Sequence, residues 1–263
     1  MNRPLWSALV AVAALLALWQ AVSWLTDVPH YLLPTPWEVG RAGWRDRAKL
    51  AAALWISGRE AAGALMAAAA AAALTATAAV RWRAAGRWLL PAATLAQTVP
   101  IIAFAPLILN WVGSGAGAVT VIAALIGFFP ILVNTTRGLL DVPGELLDLF
   151  ATRAARPAQV LWKLRWPNAL PAFFTGLRIA AGLAVVGAIT GELFAGSANM
   201  GLGGLGYSLS YANSQLQTDY LFALVAVSSL LGLLLYGAVA ACEKLCVGHW
   251  HRKYRARRPS DNV

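Results

Sequence analysis

Charge is scarce in this sequence. Only 12% of its 263 residues are charged, about half the ~25% of an ordinary soluble domain, whereas 59% are hydrophobic. Acids are the rarer sign, with 11 Asp and Glu against 21 Lys and Arg. They form no carboxylate cluster of the kind a metallohydrolase needs. Histidine is nearly absent: His30, His249 and His251 all lie outside the long apolar stretches. An intramembrane serine protease would therefore lack its base, and Ser114, set among glycines, reads as part of a turn. No G-x-x-x-x-G-K-[ST] segment occurs, which excludes ATP binding through a P-loop. The two cysteines, Cys242 and Cys246, stand one helical turn apart. In a reducing compartment that spacing argues against a disulfide, and they read as small packing residues. No metal or cofactor is expected in the chain.

What is present is a series of uncharged runs. Residues 4–26, 61–80, 88–136 and 220–242 carry no Asp, Glu, Lys or Arg, and about 20 apolar residues suffice for one helical crossing. The run 88–136 is long enough for two crossings if the chain turns near Trp111–Gly117, where Gly113, Gly115 and Gly117 cluster. A further stretch, 169–194, is interrupted only by Arg178 and Glu192. These runs predict an all-α membrane protein, a single domain of six transmembrane helices, over about 5–25, 60–80, 90–111, 118–137, 169–194 and 220–243. The first run is longer than a signal-peptide core and reads as a retained helix.

The distribution of cations sets the orientation, because basic loops stay in the cytoplasm. With the N-terminus inside, sixteen of the 21 basic residues fall on inner segments. The other five (Arg41, Arg45, Arg47, Lys49 and Arg59) share the first outer segment with Asp27, Glu38, Asp46 and Glu60. Both termini are thus expected in the cytoplasm of a bacterial cell, with the chain multi-pass in the inner membrane. The basic tail reads as a contact with the anionic inner leaflet of the lipid bilayer rather than with nucleic acid.

Several residues resist the apolar pattern. Gln97, Thr98, Pro100, Pro106, Asn110, Pro130, Asn134, Thr135 and Thr136 lie within the third and fourth runs. Polar groups and prolines persist at membrane depth where protein or a water-filled cavity satisfies them, so they mark either a pathway or hydrogen bonding between helices. In the second run, Ala67 to Ala73 are seven consecutive alanines; small side chains let helices approach closely in lipid. Arg178 and Glu192 are 14 positions and about 21 Å apart along a helix. Either is a functional candidate, or Arg178 snorkels to the inner surface and Glu192 reaches the outer headgroups.

Between the fourth and fifth runs, 141–168 reads as two short helices on the inner face. Asp141 is placed to cap the first, with Pro143 and Glu145 in its opening turn. Pro157 opens the second, which is amphipathic, and Pro167 stops it. Such a hairpin lies on lipid or docks on a soluble partner. Beyond the fifth run, Gly201, Gly203 and Gly206 satisfy G-x-G-x-x-G, but no strand precedes them and Asp219 comes too soon for a dinucleotide site. Close packing on a helix is the better reading.

The segment from Asp148-Leu149-Phe150-Ala151-Thr152-Arg153-Ala154 to Gln159 through Pro171 resembles the EAA loop of binding-protein-dependent ABC permeases. Asp148 takes the Glu position, Ala154 the Gly position, and Pro167 follows thirteen residues later. Tyr31-Leu32-Leu33-Pro34-Thr35-Pro36, Gln97 through Gly113, Phe128-Phe129-Pro130 to Thr135, Gly191-Glu192-Leu193 and Gly201-Leu202-Gly203 are similar to permeases of the nitrate/sulfonate/taurine type. The resemblance spans about residues 30–245. It implies a type I ABC importer permease acting as a homodimer, with cytoplasmic ATPase subunits that bind ATP and Mg2+ and an extracytoplasmic solute-binding protein. Asp148, Phe150, Ala154, Leu161, Trp162 and Leu164 would dock the ATPase, and Pro167 and Pro171 would fix the exit into the fifth helix. Gln97, Pro100, Asn134 and Glu192 would shape the pathway or its gate. The solute stays open among nitrate, bicarbonate, sulfonates and aromatic vitamin precursors. A self-sufficient secondary carrier or channel is the alternative.

Overall fold

The computed structural model describes residues 3–25, 29, 32–195 and 203–255. Every regular element among them is helical. The first helix, α1 (Arg3–Leu25), touches the bundle at its periphery, where the Trp19 ring lies 5.6 Å from Phe222. Val10–Leu25 within it is apolar.

The chain re-enters through α2 (Pro36–Arg45). Thr35 caps this helix: its hydroxyl accepts from the Glu38 N–H, and the Glu38 carboxylate accepts from the Thr35 N–H at 2.8 Å. With Pro36 in the first turn, this capping box explains the Pro34-Thr35-Pro36 motif. Asp46 then accepts hydrogen bonds from Lys49 and Arg45, both at 2.8 Å. These contacts hold its carboxyl below the usual range.

The next helix, α3 (Arg47–Arg81), is 35 residues long. The sequence reading began this span at 60. The helix starts thirteen residues earlier because 47–59 contain no proline and are rich in Ala and Leu, so charge ends the apolar run without ending the helix. Ala61, Ala64, Ala68, Ala72 and Ala76 form a buried stripe along it. Of the alanine run, Ala68 and Ala72 lie on that stripe, whereas Ala67, Ala70 and Ala71 are exposed.

The third expected span is not one straight helix. It comprises α4 (Arg83–Ala96), a 3-10 turn at Ile101–Phe104 and α5 (Ala105–Val112), and its halves Trp88–Ala96 and Ile101–Val112 are bent by 77°. Pro100 pushes Val99 out of helical geometry and lacks a donor itself, so the ladder breaks there. The turn into α6 (Ala116–Leu140) falls at Gly113 and Gly115, with φ of 89° and 120°, values that favour glycine.

After α7 (Gly144–Thr152), α8 (Pro157–Val160) runs through a π turn (Leu161–Arg165) into α9 (Trp166–Ala195), giving 39 continuous helical residues. Pro167 therefore does not stop the helix. The π turn just before it, closed by the Trp166 N–H on the Leu161 carbonyl, accommodates a ring that cannot donate. Asp141 likewise ends α6 and does not cap α7, whose N-cap is Pro143. The remaining elements are α10 (Leu205–Ser214) and α11 (Thr218–Arg255), which outruns the expected span by twelve residues. Cys242 and Cys246 are free and exposed on α11.

Glycine joins α6 to α9 along their length. A Cβ at Gly138 would lie 2.7 Å from the Ala172 Cβ; at Gly176, 2.8 Å from the Ile131 Cα; at Gly187, 2.6 Å from the Ala123 Cα; at Gly191, 3.1 Å from the Val119 Cα. In lipid this close backbone approach replaces the hydrophobic drive as the source of association. Among the described residues, four helices are long and apolar enough to cross a membrane, and the bent α4–α5 pair makes a fifth candidate.

Candidate functional site: the elbow and the Glu192 clasp

The elbow between α7 and α8 is a Schellman turn. The Ala155 N–H donates to the Phe150 carbonyl at 3.0 Å and the Ala154 N–H to the Ala151 carbonyl at 2.9 Å. That pattern places residue 154 in the left-handed region, and Ala154 has φ 46°. The Gly position of the EAA pattern is thus the one where glycine is favoured. Alanine keeps the turn at a cost of roughly 1–2 kcal/mol. Ala154→Gly is accordingly expected to raise the unfolding free energy of the detergent-solubilised chain by about 1 kcal/mol, read as an upward shift in its thermal transition.

The elbow is fastened to the bundle at its base. The last carbonyls of α6 have no helical acceptor role left; Arg165 donates to Leu139 at 2.8 Å, and Asn168 donates to Asp141 at 2.6 Å and Gly138 at 3.3 Å. The Trp166 indole N–H donates to Thr77 Oγ1 of α3 at 3.2 Å, and its ring stacks on Trp162 at 6.1 Å. Sequence reasoning missed Arg165, Asn168 and Thr77 as fasteners. The Arg-Trp-Pro-Asn order following the hairpin was the available signal.

The docking candidates separate by exposure. Asp148 and Ala154 are exposed, Trp162 is 62% exposed, and Phe150 and Leu164 are half-buried. Leu161 is buried against the bundle core, so its side chain faces inward. Leu149, which was not singled out, is 52% exposed. A cleft of about 350 Å³ lined by Leu149, Phe150, Arg153, Ala155, Gln159 and Lys163 lies within the elbow. Pro167 and Pro171 sit in the first turns of α9, after the π turn.

The four pathway candidates fall in three places. Gln97 and Pro100 are exposed at the bend between α4 and the 3-10 turn. Asn134 is half-buried in α6 and donates to the Pro130 carbonyl of its own helix at 2.8 Å, beside Gly176 of α9. Glu192 is buried where α3, α9 and α10 meet: Ser57 donates to its Oε1 at 2.5 Å, and the Gly206 N–H donates to its Oε2 at 2.5 Å. It does not reach out to headgroups. Nor does Arg178 simply snorkel, for it pairs with Glu243 of α11 at 3.1 Å.

The elbow, the small-residue helix pair and the bent third span all lie within the stretch that a known family matches. The model of the binding-protein-dependent transport system inner membrane component matches residues 61–245. The chain belongs to that family. As an inner membrane component it is a multi-pass protein of the plasma membrane and a permease subunit of an ABC importer. It is 36% identical over 249 residues to the riboflavin transport system permease protein RibX of Chloroflexus aurantiacus, covering 92% of this chain and 90% of that protein. A probable ABC transporter permease protein of Haemophilus influenzae is 34% identical over 231 residues, 88% and 92% of the two chains. The taurine transport system permease protein TauC of Escherichia coli is 28% identical over 263 residues, 95% and 92%. In fold, the permease is similar to a structure of the inward-facing MetNI methionine ABC transporter, with a TM-score of 0.52 at 19% identity over 81% of this chain and 97% of that one. Membership implies an ATPase subunit and a solute-binding protein as partners of this permease.

Proposed function

We propose that this permease crosses the membrane six times with both termini in the cytoplasm, α1 and the bent α4–α5 pair each forming one crossing. Two copies form the translocation pathway, and the 141–168 elbow of each receives a cytoplasmic ATPase subunit. The observation that carries this reading is the elbow itself: an exposed Asp148, Leu149 and Trp162 surface on a turn fastened to α3, α6 and α9 by Trp166, Arg165 and Asn168. A lever needs both, a face for the motor and a stiff joint to the load. Phe150 and Leu164 would add to that face, Ala154 would set its turn, and Leu161 would hold the elbow on the core from behind. Pro167 and Pro171 would steer the elbow into α9. Binding of ATP and Mg2+ by the partner would move the elbow and tilt α9 and α6 together, because their backbones touch at four glycines. Gln97 and Pro100 at the bend, Asn134 and Glu192 would border the pathway or its gate.

Two relatives at 36% identity are named for riboflavin and formylaminopyrimidine transport, above the 28% of the taurine permease. We assign the solute to that class, a heteroaromatic vitamin or precursor presented by the binding protein. The test is reconstitution in proteoliposomes with the ATPase and binding protein. ATP-dependent riboflavin uptake is expected, with neither ATP hydrolysis nor uptake by this chain alone. Uptake by this chain alone on an ion gradient would support a self-sufficient secondary carrier instead.

A further inference from the structure

Glu60 and Glu192 are the two buried acids among the described residues, at 7% and 6% exposure. Both carboxyls lie where α3 meets α9, and Glu60 Oε2 is buried with no hydrogen-bond partner among the described residues. Ser57, fully buried one turn before Glu60, sits on the other side of Glu192. Its hydroxyl donates to Glu192 Oε1 at 2.5 Å and accepts from the Leu205 N–H at 2.8 Å, while Glu192 Oε2 accepts from the Gly206 N–H at 2.5 Å. Leu205 and Gly206 open α10, so these are first-turn N–H groups with no partner within their own helix. A carboxylate at that end also lies favourably along the helix dipole.

The glycines beside it are shaped to this contact. A Cβ at Gly204 would fall on the Glu192 carboxyl, and one at Gly206 would strike the Ile189 carbonyl and come within 2.8 Å of the Glu192 Cβ. One at Gly203 would fall on the Tyr207 ring. Gly204 and Gly206 are therefore what let a buried carboxylate touch backbone, while Gly201 of the fingerprint-like run lies outside the described residues. At its other end α10 closes with a second Schellman turn: Gln217 donates to Ala212 at 3.0 Å and Leu216 to Asn213 at 3.1 Å. Leu216 there has φ 54°, a left-handed conformation that a bulky residue adopts only under constraint. A short helix with a polar clasp at one end and a constrained joint at the other is built to occupy discrete positions.

We propose that Ser57 is a positioning residue that acts through Glu192, clasping α10 to α3 and α9 so that α10 forms the outer gate of the pathway. The inference rests on the importer reading above and on its placement of α10 outside. Glu192→Gln removes an acceptor facing two donors, whereas Glu60→Gln removes none of the clasp's hydrogen bonds. The two amide substitutions are therefore unequal in their effects.

The test uses the permease with its ATPase and binding protein in proteoliposomes, reading solute taken up per ATP hydrolysed. Ser57→Ala and Glu192→Gln should lower that ratio by about tenfold, the scale of one lost hydrogen bond to a charged group, while ATP hydrolysis continues. Ser57→Thr should restore it and Glu60→Gln should leave it within about twofold. In the same variants a cysteine at Tyr211, exposed on α10, should react faster with an impermeant maleimide added outside. If Glu192→Gln does not accumulate in the membrane, Ser57→Ala alone decides. Normal coupling and unchanged labelling in Ser57→Ala would overturn the clasp, as would equal losses in Glu60→Gln and Glu192→Gln. Absence of ATP-driven uptake by the unaltered complex would instead overturn the importer reading, and labelling from the inside only would overturn the topology.

Discussion

Gly187→Val is expected to prevent the chain from accumulating as a folded protein, at a cost of about 3 kcal/mol, the upper end of what overpacking usually incurs. The added Cβ would stand 2.6 Å from the Ala123 Cα and 3.1 Å from its Cβ. No rotamer change relieves a clash with backbone, so α6 and α9 would have to separate. In lipid there is no hydrophobic gain to hold separated helices together. Gly182, five residues earlier on the same helix, has nothing within 4 Å of its would-be Cβ. Gly182→Ala is therefore expected to be neutral or to stabilise by about 0.5–1 kcal/mol through helix propensity. Detergent-extracted yield and thermal unfolding of the two variants check the pair. Similar behaviour at 182 and 187 would remove the case for glycine-mediated contact.

The second large effect concerns the elbow. Leu149→Asp with Trp162→Asp should leave the fold in place, because both side chains are exposed, and should reduce co-purification of the ATPase subunit by more than about tenfold. Burying two carboxylates in a docked interface costs several kcal/mol, well beyond the 1.4 kcal/mol of a tenfold change in affinity. Leu161 is the wrong place for this test. Its side chain packs on the bundle, and an aspartate there would damage the fold together with the docking. Equal recovery of the ATPase with the double variant would show that the exposed face carries no docking energy.

Much of this architecture is written in local sequence. The apolar runs mark where helices lie in lipid, because the bilayer admits few alternatives. Pro100 marks the break in the third span, and Gly113 and Gly115 the turn after it, since each acts through its own backbone. Pro157 opens its helix for the same reason. Helix ends were less legible: α3 begins at Arg47 and α11 runs on to Arg255 because charged residues form helix as readily as apolar ones. Pro167 misled, because a π turn removes the conflict that a proline normally creates.

The candidate sites divide along the same line. The elbow could be placed from its motif, and the left-handed Ala154 explains why that motif has a glycine. The partners of the buried charges could not be placed. Ser57 meets Glu192 across 135 positions, and Arg178 meets Glu243 on the last helix. No periodicity links such pairs; only the packing of α9 against α3 and α11 brings them together.

The central claim is that the 141–168 elbow is moved by a separate ATPase. Asp148→Cys, exposed near the tip of the elbow, tests it most directly by photocrosslinking from that cysteine in native membrane vesicles during ATP turnover. The account predicts a crosslink to the ATPase subunit whose yield changes between the nucleotide-free and ATP-bound states. Crosslinks to phospholipid alone, in every state of the cycle, would contradict it.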